Sequence, residues 1–180
     1  MVKNLSSYPL FTKAYNDLVT YDMDEEQLKY MKEAIKLSVG NVESGAGGPF
    51  GAVIVKNGAI IGRGVNKVTA TNDPTAHAEV VAIRDACAHL GSFQLEDCDV
   101  YTSCEPCPMC LSAIYWARPK RIFFANTKED AANIGFDDNF IYLEIDKAVS
   151  ERSIPAIQIM RDEAMSAFDK WKTSTNKIEY

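Results

Sequence analysis

The chain has 180 residues, 47% of them hydrophobic, and a formal net charge of −6. This length and apolar content predict one compact domain over residues 23–180, preceded by an N-terminal extension over residues 1–22. We find no apolar run near the roughly 18 residues that a membrane span needs and no secretory leader. The acidic balance argues against a nucleic-acid partner, since such proteins usually present a basic face.

The first predicted element is a helix that begins at Asp24, because Gln27 three residues later completes a capping box. Its end is expected between Gly40 and Gly45. The helix has one apolar face, formed by residues at three- and four-residue steps, among them Leu28, Met31, Ile35 and Val39.

A glycine-rich loop over residues 45–51 and a predicted hairpin follow this helix. The loop lacks the lysine and serine of a phosphate-binding loop, which favours close backbone packing, with Phe50 facing a pocket. Asn57-Gly58 lies between two apolar runs and predicts a two-residue hairpin turn. Asn66 lies just beyond the second strand.

Helices and strands then alternate to the end of the chain. Thr75 is expected to cap a helix that carries His77 and Glu79 and ends at Gly91. Further elements are strands over 99–102 and 121–125, a candidate late strand over 154–160, and helices over 107–117, 128–134 and 161–171. This alternation predicts an α/β domain with helices on both faces of a sheet, which the hairpin makes mixed.

Two short motifs carry the chemistry, His77-Ala78-Glu79 and Pro106-Cys107-Pro108-Met109-Cys110. One histidine and two cysteines suit zinc, and a fourth position is left for a water molecule whose pKa falls to roughly 7. The zinc-bound hydroxide would attack a heteroaromatic ring. Glu79 would carry the protons from the water to the ring and to the leaving ammonia. Positions 77 and 79 lie about 200° apart on an ideal helix, so only a loop-to-helix entry would bring Glu79 over the metal.

Each motif alone has a plainer interpretation. A lone C-x-x-C is often a redox pair or half of a structural zinc site. Cys104 extends the run towards an iron–sulfur pattern, but no cysteine follows Cys110, so we interpret Cys104 as a neighbour of the site. A non-catalytic zinc module usually has a fourth protein ligand and needs no spare carboxylate, so Glu79 favours an enzyme. Five cysteines, an odd number, suit a reducing cytoplasm.

Together the motifs resemble those of the cytidine deaminase-like superfamily of zinc-dependent deaminases. The resemblance runs from about residue 25 to the end and includes the sequences Gly-Gly-Pro-Phe-Gly-Ala at 47–52 and Gly-Phe-Asp-Asp at 135–138. The second of these and the terminal Tyr180 favour the bacterial branch that deaminates guanine.

The resemblance implies a three-layer α/β/α sandwich, one zinc per subunit, and hydrolysis of guanine to xanthine and ammonia. It implies a homodimer whose C-terminal segment crosses to the partner subunit. It also implies metal ligation by His77, Cys107 and Cys110, and catalysis by Glu79 and Asp138. Five residues are expected to contact the purine: Phe50, Asn66, Ala78, Trp116 and Tyr180.

Alternatives remain open at this stage. The same zinc centre serves enzymes for cytosine, guanosine, triazine-like amines or tRNA adenosine, because the shape of the pocket selects the ring. On the residues alone, Phe50 and Trp116 also fit a plain core and Asn66 a turn. Asp138 fits a solvated loop, and Tyr180 a frayed terminus.

Overall fold

The computed structural model of the chain describes residues 24–179, so the predicted N-terminal extension and Tyr180 lie outside the described residues. None of the helices within this range is both long and apolar enough to span a membrane. The elements in chain order are α1 (Glu25–Glu43), β1 (Gly51–Lys56), β2 (Ala59–Val65), α2 (Val68–Thr71), α3 (Ala78–Leu90), β3 (Cys98–Cys104), α4 (Pro108–Ala117), β4 (Arg121–Asn126), α5 (Lys128–Asn133), α6 (Asn139–Asp146), a 3-10 turn (Val149–Glu151) and α7 (Arg161–Thr173).

Helix α1 begins with the predicted capping box. The backbone N–H of Gln27 donates to the Asp24 carboxylate at 2.7 Å, and the backbone N–H of Asp24 donates to Oε1 of the Gln27 side chain at 3.3 Å. The helix ends where Ser44 N–H bonds to the Gly40 carbonyl at 3.0 Å. Both ends of α1 therefore agree with the sequence prediction.

The sheet has four strands in the order β2-β1-β3-β4. Strand β1 pairs antiparallel with β2 and β3, whereas β3 and β4 run parallel, so the predicted mixed sheet is confirmed. The hairpin turn is also confirmed, with Asn57 at φ 50° and Gly58 at φ 76°. Positive φ at both central residues matches the twist of the flanking strands.

Each face of the sheet carries its own apolar cluster, because alternate residues of a strand point to opposite sides. Ala52 and Ile54 of β1 pack with α3 and α4 on one face. Val53 and Val55 pack with residues of α1 on the other. The three-layer α/β/α arrangement is thereby confirmed.

Some predicted elements are wrong. His77, not Thr75, is the N-cap residue of α3, and the Thr75 hydroxyl instead donates to the Asp73 carboxylate at 2.6 Å. Residues 154–160 pair with no strand in the described part of the chain, and Pro155 there has no N–H to donate. Helices α2 and α6 were not predicted.

Helix α3 lies very close to β2 because two strand residues facing it are glycines. A Cβ atom at Gly64 would collide with the Ala78 carbonyl and the Ala82 amide. A Cβ atom at Gly62 would lie 2.6 Å from the Ala82 carbonyl. These contacts fix the height of the α3 N-terminus above the sheet.

Gly64→Ala should therefore destabilise the protein by about 1–3 kcal/mol, because the added methyl has no room against helix backbone. A thermal unfolding curve followed by circular dichroism should show a Tm lower by several degrees. The matched control is Gly40→Ala in α1, where nothing lies within 4 Å of the added Cβ. That variant should keep or slightly raise the Tm, since alanine is the better helix former. An equal Tm for both variants would contradict the close-packing explanation.

Candidate active site

The N-terminal ends of α3 and α4, which we call the two helix entrances, converge at the end of the sheet. His77 is the N-cap residue of α3, with φ −69° and ψ 158°, and Cys107 is the N-cap residue of α4, with φ −62° and ψ 167°. Both therefore have extended backbone, and Cys110 follows in the first turn of α4. This is the loop-to-helix entry that the sequence required for His77 and Glu79 to face one point.

The side chains of His77, Cys107 and Cys110 form a compact group of donor atoms. Nδ1 of His77 lies 3.6 Å from the sulfur of Cys107 and 3.5 Å from that of Cys110. All three donor atoms lie within 4.8 Å of one another. Tetrahedral zinc with ordinary Zn–N and Zn–S bonds would separate nitrogen and sulfur by about 3.5 Å. The group thus fits a zinc ion and leaves a fourth coordination position open.

The pKa values of the two thiols are shifted in opposite directions. A hydrogen bond from Cys110 and the neighbouring His77 lower the pKa of Cys107 to about 4, although burial opposes this shift. The same hydrogen bond, together with burial, raises the pKa of Cys110. The bond to Cys107 also raises the pKa of His77. A thiolate at a helix N-terminus is a ready ligand for a divalent cation.

Glu79 lies buried beside these donor atoms, with 6% of its surface exposed. Its Oε2 accepts from the Cys110 thiol at 3.3 Å, and its Oε1 accepts from the Thr102 hydroxyl at 3.4 Å. Burial is the main cause that raises the pKa of Glu79. A buried carboxylate of raised pKa next to a metal site is suited to take up and return a proton.

A cavity of about 350 Å³ opens onto this group. Six of the predicted site residues line it: Phe50, Asn66, His77, Glu79, Cys107 and Asp138. The Phe50 ring meets Phe136 edge to face, with centroids 5.0 Å apart. The cavity therefore combines an aromatic wall with polar groups near the donor atoms, as expected for a small planar ligand.

Asn66 and Asp138 occupy polar positions in the cavity wall. Asn66 is buried, and its Oδ1 accepts a hydrogen bond from the Val68 amide at 3.3 Å, so it shapes a turn as well as the cavity. Desolvation raises the pKa of the Asp138 carboxylate. The neighbouring Asp137 accepts from the Asn139 amide at 2.9 Å. Asp138 therefore holds a proton more readily than an ordinary aspartate.

Two predicted contact residues, Ala78 and Trp116, do not line the cavity, and a third is not described by the structure. Trp116 is 64% exposed on α4 and lines a separate groove with Phe93 and Ile178. Ala78 is fully buried at the start of α3. Tyr180 lies outside the described residues.

Other cavity residues were missed by the sequence analysis, among them Glu105, Lys128 and Phe140. Lys128 begins α5, and its amide donates to the Glu105 carboxylate at 3.2 Å. The position of Glu105, directly before Pro106 in the cysteine motif, was the available signal. Phe140 had none, because α6 was not predicted.

Cys104 lies in the cavity wall but outside the donor group. Its thiol donates to the Thr127 carbonyl at 3.5 Å, and burial raises its pKa to about 11. Its sulfur is not part of the group of donor atoms formed by His77, Cys107 and Cys110. The geometry agrees with the interpretation of Cys104 as a neighbour of the site.

Known proteins are similar to this chain in sequence and fold. The family model for the cytidine and deoxycytidylate deaminase zinc-binding region matches residues 24–126. A guanine deaminase of Bacillus subtilis strain 168 is 60% identical over 151 residues, which cover 84% of this chain and 97% of that protein. A crystal structure of guanine deaminase from Bacillus subtilis superposes with a TM-score of 0.83, at 59% identity, over 88% of this chain and 99% of that one. A tRNA-specific adenosine deaminase of Aquifex aeolicus is 46% identical over 43% of this chain and 51% of that protein. The chain therefore belongs to the cytidine and deoxycytidylate deaminase family, whose members carry this zinc-binding region.

Proposed function

We propose that the protein hydrolyses guanine to xanthine and ammonia, with one zinc per subunit held by His77, Cys107 and Cys110. The observation that carries this proposal is the extent of the similarity to a guanine deaminase, which covers 97% of that enzyme. The tRNA-specific adenosine deaminases are less similar. The one of Aquifex aeolicus is matched over only 51% of its length, and one of Streptococcus pyogenes is 36% identical over 78% of its length. The higher identity to the guanine deaminase over nearly its whole length, 60%, therefore favours guanine.

The donor group sets the chemistry of the first step. When bound, zinc acts as a Lewis acid that lowers the pKa of a water molecule to roughly 7. Glu79 accepts the proton of the attacking water, because its carboxylate lies beside the Cys110 sulfur. Glu79 then donates that proton to the ring nitrogen next to the amine-bearing carbon. The aromatic wall at Phe50 and the amide of Asn66 hold the purine in place during this transfer.

Asp138 is proposed as the second catalytic carboxylate. It lies in the cavity wall, and its raised pKa lets it take up a proton more readily than an exposed aspartate. We infer that it takes the proton from the hydroxyl that the attacking water has added to the ring carbon and passes it to the amine. The carbon–nitrogen bond then breaks, the carbonyl of xanthine forms and the amine leaves as ammonia. Two carboxylates with separate roles then serve one reaction, Glu79 on the water and Asp138 on the leaving group.

We also propose a homodimer in which the C-terminal segment of the 23–180 domain crosses to the partner subunit. Ile154, Ile157 and Ile159 are 81, 82 and 75% exposed, and α7 contributes no buried residue. Exposed apolar surface of this kind marks an interface. Such a crossing would bring Tyr180 to the neighbouring cavity, and a single monomeric species in equilibrium sedimentation would exclude it.

All five cysteines are free thiols, which supports a place in the reducing cytoplasm.

Guanine should be the preferred substrate in an ammonia-release assay of the zinc-loaded protein. The comparison set is guanosine, cytosine, cytidine, adenine and a tRNA. The tRNA should be a poor substrate, because the cavity wall carries more carboxylates than lysines, Glu105 and Asp137 against Lys128 among them. Turnover of tRNA adenosine or of cytosine in place of guanine would overturn the proposed function.

Glu79→Gln should lower kcat at least about 10²-fold, because the amide can neither accept nor return the proton. The variant should keep its fold and about one zinc per chain, measured by circular dichroism and elemental analysis. The matched control is Glu43→Gln at the exposed end of α1, which should retain full activity. Unchanged turnover in Glu79→Gln would remove Glu79 from the mechanism.

Asp138→Asn should lower kcat for guanine roughly 10²-fold with a smaller change in KM, since it removes a proton donor and preserves the shape. Asp137→Asn provides the comparison, because an asparagine oxygen can still accept the Asn139 hydrogen bond and should cost much less. Steady-state kinetics of both variants decide the assignment. A larger loss of kcat in the Asp137 variant would reverse it.

A further inference from the structure

Asn41, near the end of α1, makes two hydrogen bonds that leave its own helix. Its Nδ2 donates to the Gly48 carbonyl at 2.8 Å and to the Asn66 carbonyl at 3.0 Å. The residue is 5% exposed. Two carbonyl acceptors require the nitrogen, and not the oxygen, of the amide to face them. One buried side chain thus joins two backbone segments that are 18 residues apart in sequence.

Both segments carry cavity residues. Gly48 lies in the cavity wall two residues before Phe50, and Asn66 lies there itself. The backbone N–H of Asn66 in turn donates to the Phe50 carbonyl at 3.2 Å. The side-chain amide of Asn41 therefore joins the two segments by two hydrogen bonds, and the backbone bond between Asn66 and Phe50 joins them by a third. Together these bonds position Phe50 and Asn66.

The glycine-rich loop is shaped to reach this amide. A Cβ atom at Gly47 would lie 3.0 Å from Nδ2 of Asn41 and would collide with the Asn66 carbonyl. The Asn41 carbonyl also accepts from the Ala46 amide at 3.2 Å. The lack of a side chain at residue 47 lets the chain pass close enough for both donor hydrogens of Asn41 to find a carbonyl.

We propose that Asn41 is a positioning residue for the purine pocket. This inference rests on the proposed function, in which Phe50 and Asn66 contact the purine. Asn41 holds the backbone of both residues at one separation before the substrate arrives. The groups proposed to bind zinc and move protons belong to α3, α4 and the start of α6, so Asn41 acts on substrate affinity and leaves proton transfer alone.

Asn41→Asp tests the inference, because the side chain keeps its size but presents oxygens to two carbonyls. We expect KM for guanine to rise at least about tenfold and kcat to stay within about twofold, the pattern for loss of uniform binding. The matched control is Ser38→Ala. Ser38 is similarly buried on the same helix, but its hydroxyl donates within α1, to the Ile35 carbonyl at 2.7 Å. The inference is overturned if folded Asn41→Asp keeps the wild-type KM, or if Ser38→Ala raises KM equally.

Amide hydrogen exchange separates this inference from the proposed function, because it needs no turnover. In Asn41→Asp, exchange should accelerate at the backbone amides of Ala46, Gly47, Gly48, Phe50 and Asn66, while amides within β1 and β3 keep their protection. Unchanged exchange at those residues would overturn the inference even if guanine is the substrate. Should the variant not fold, hydrogen exchange at the backbone amide of Asn66 in the wild-type protein still tests the inference. Slow exchange without ligand supports a pocket held in advance, and exchange at the rate of an exposed loop overturns it.

Discussion

The close approach of α3 to β2 is the constraint on which the rest of the site depends. Gly62 and Gly64 let the helix backbone lie almost against the strand. That contact sets where α3 begins, and so where His77 leaves the loop and Glu79 enters the first turn. The second entrance, at Cys107, approaches from the end of β3. Because both entrances are anchored to one sheet, three donor atoms and a carboxylate meet without any long flexible connection.

The electrostatics of this meeting point explain why a cation belongs there. A buried carboxylate, a thiol of lowered pKa and a second sulfur lie within a few ångströms, beside a histidine whose pKa is raised. Grouping anionic donors away from water is costly unless a positive charge compensates. The helix N-termini supply part of that charge, and zinc would supply the rest.

Local signals carried most of the sequence prediction. The Asp24 capping box and the Asn57-Gly58 turn depend on residues within three positions of each other, so both could be read directly. The three donor residues could be proposed because motif spacing encodes their chemistry. The N-cap position of His77 could not be predicted, since Thr75 is the better capping residue by type. In the structure the Thr75 hydroxyl is instead hydrogen-bonded to the Asp73 carboxylate. Residues 154–160 have the apolar content of a strand, but a strand also needs a neighbour, which no local pattern specifies. The outward position of Trp116 likewise depends on how α4 packs.

The cavity combines two parts with different origins in the chain. His77, Glu79, Cys107, Phe50 and Asn66 fall within residues 24–126, the region shared across the family. Phe136, Asp138 and Phe140 lie beyond it and complete the wall of the same cavity. A zinc centre acts on any ring that reaches it, so selection among rings must come from the groups that bound the cavity. The Phe50–Phe136 contact is where the two parts meet. A shared centre can therefore serve a new ring when the chain after β4 changes, while the sheet and helix entrances that hold the donor atoms stay the same.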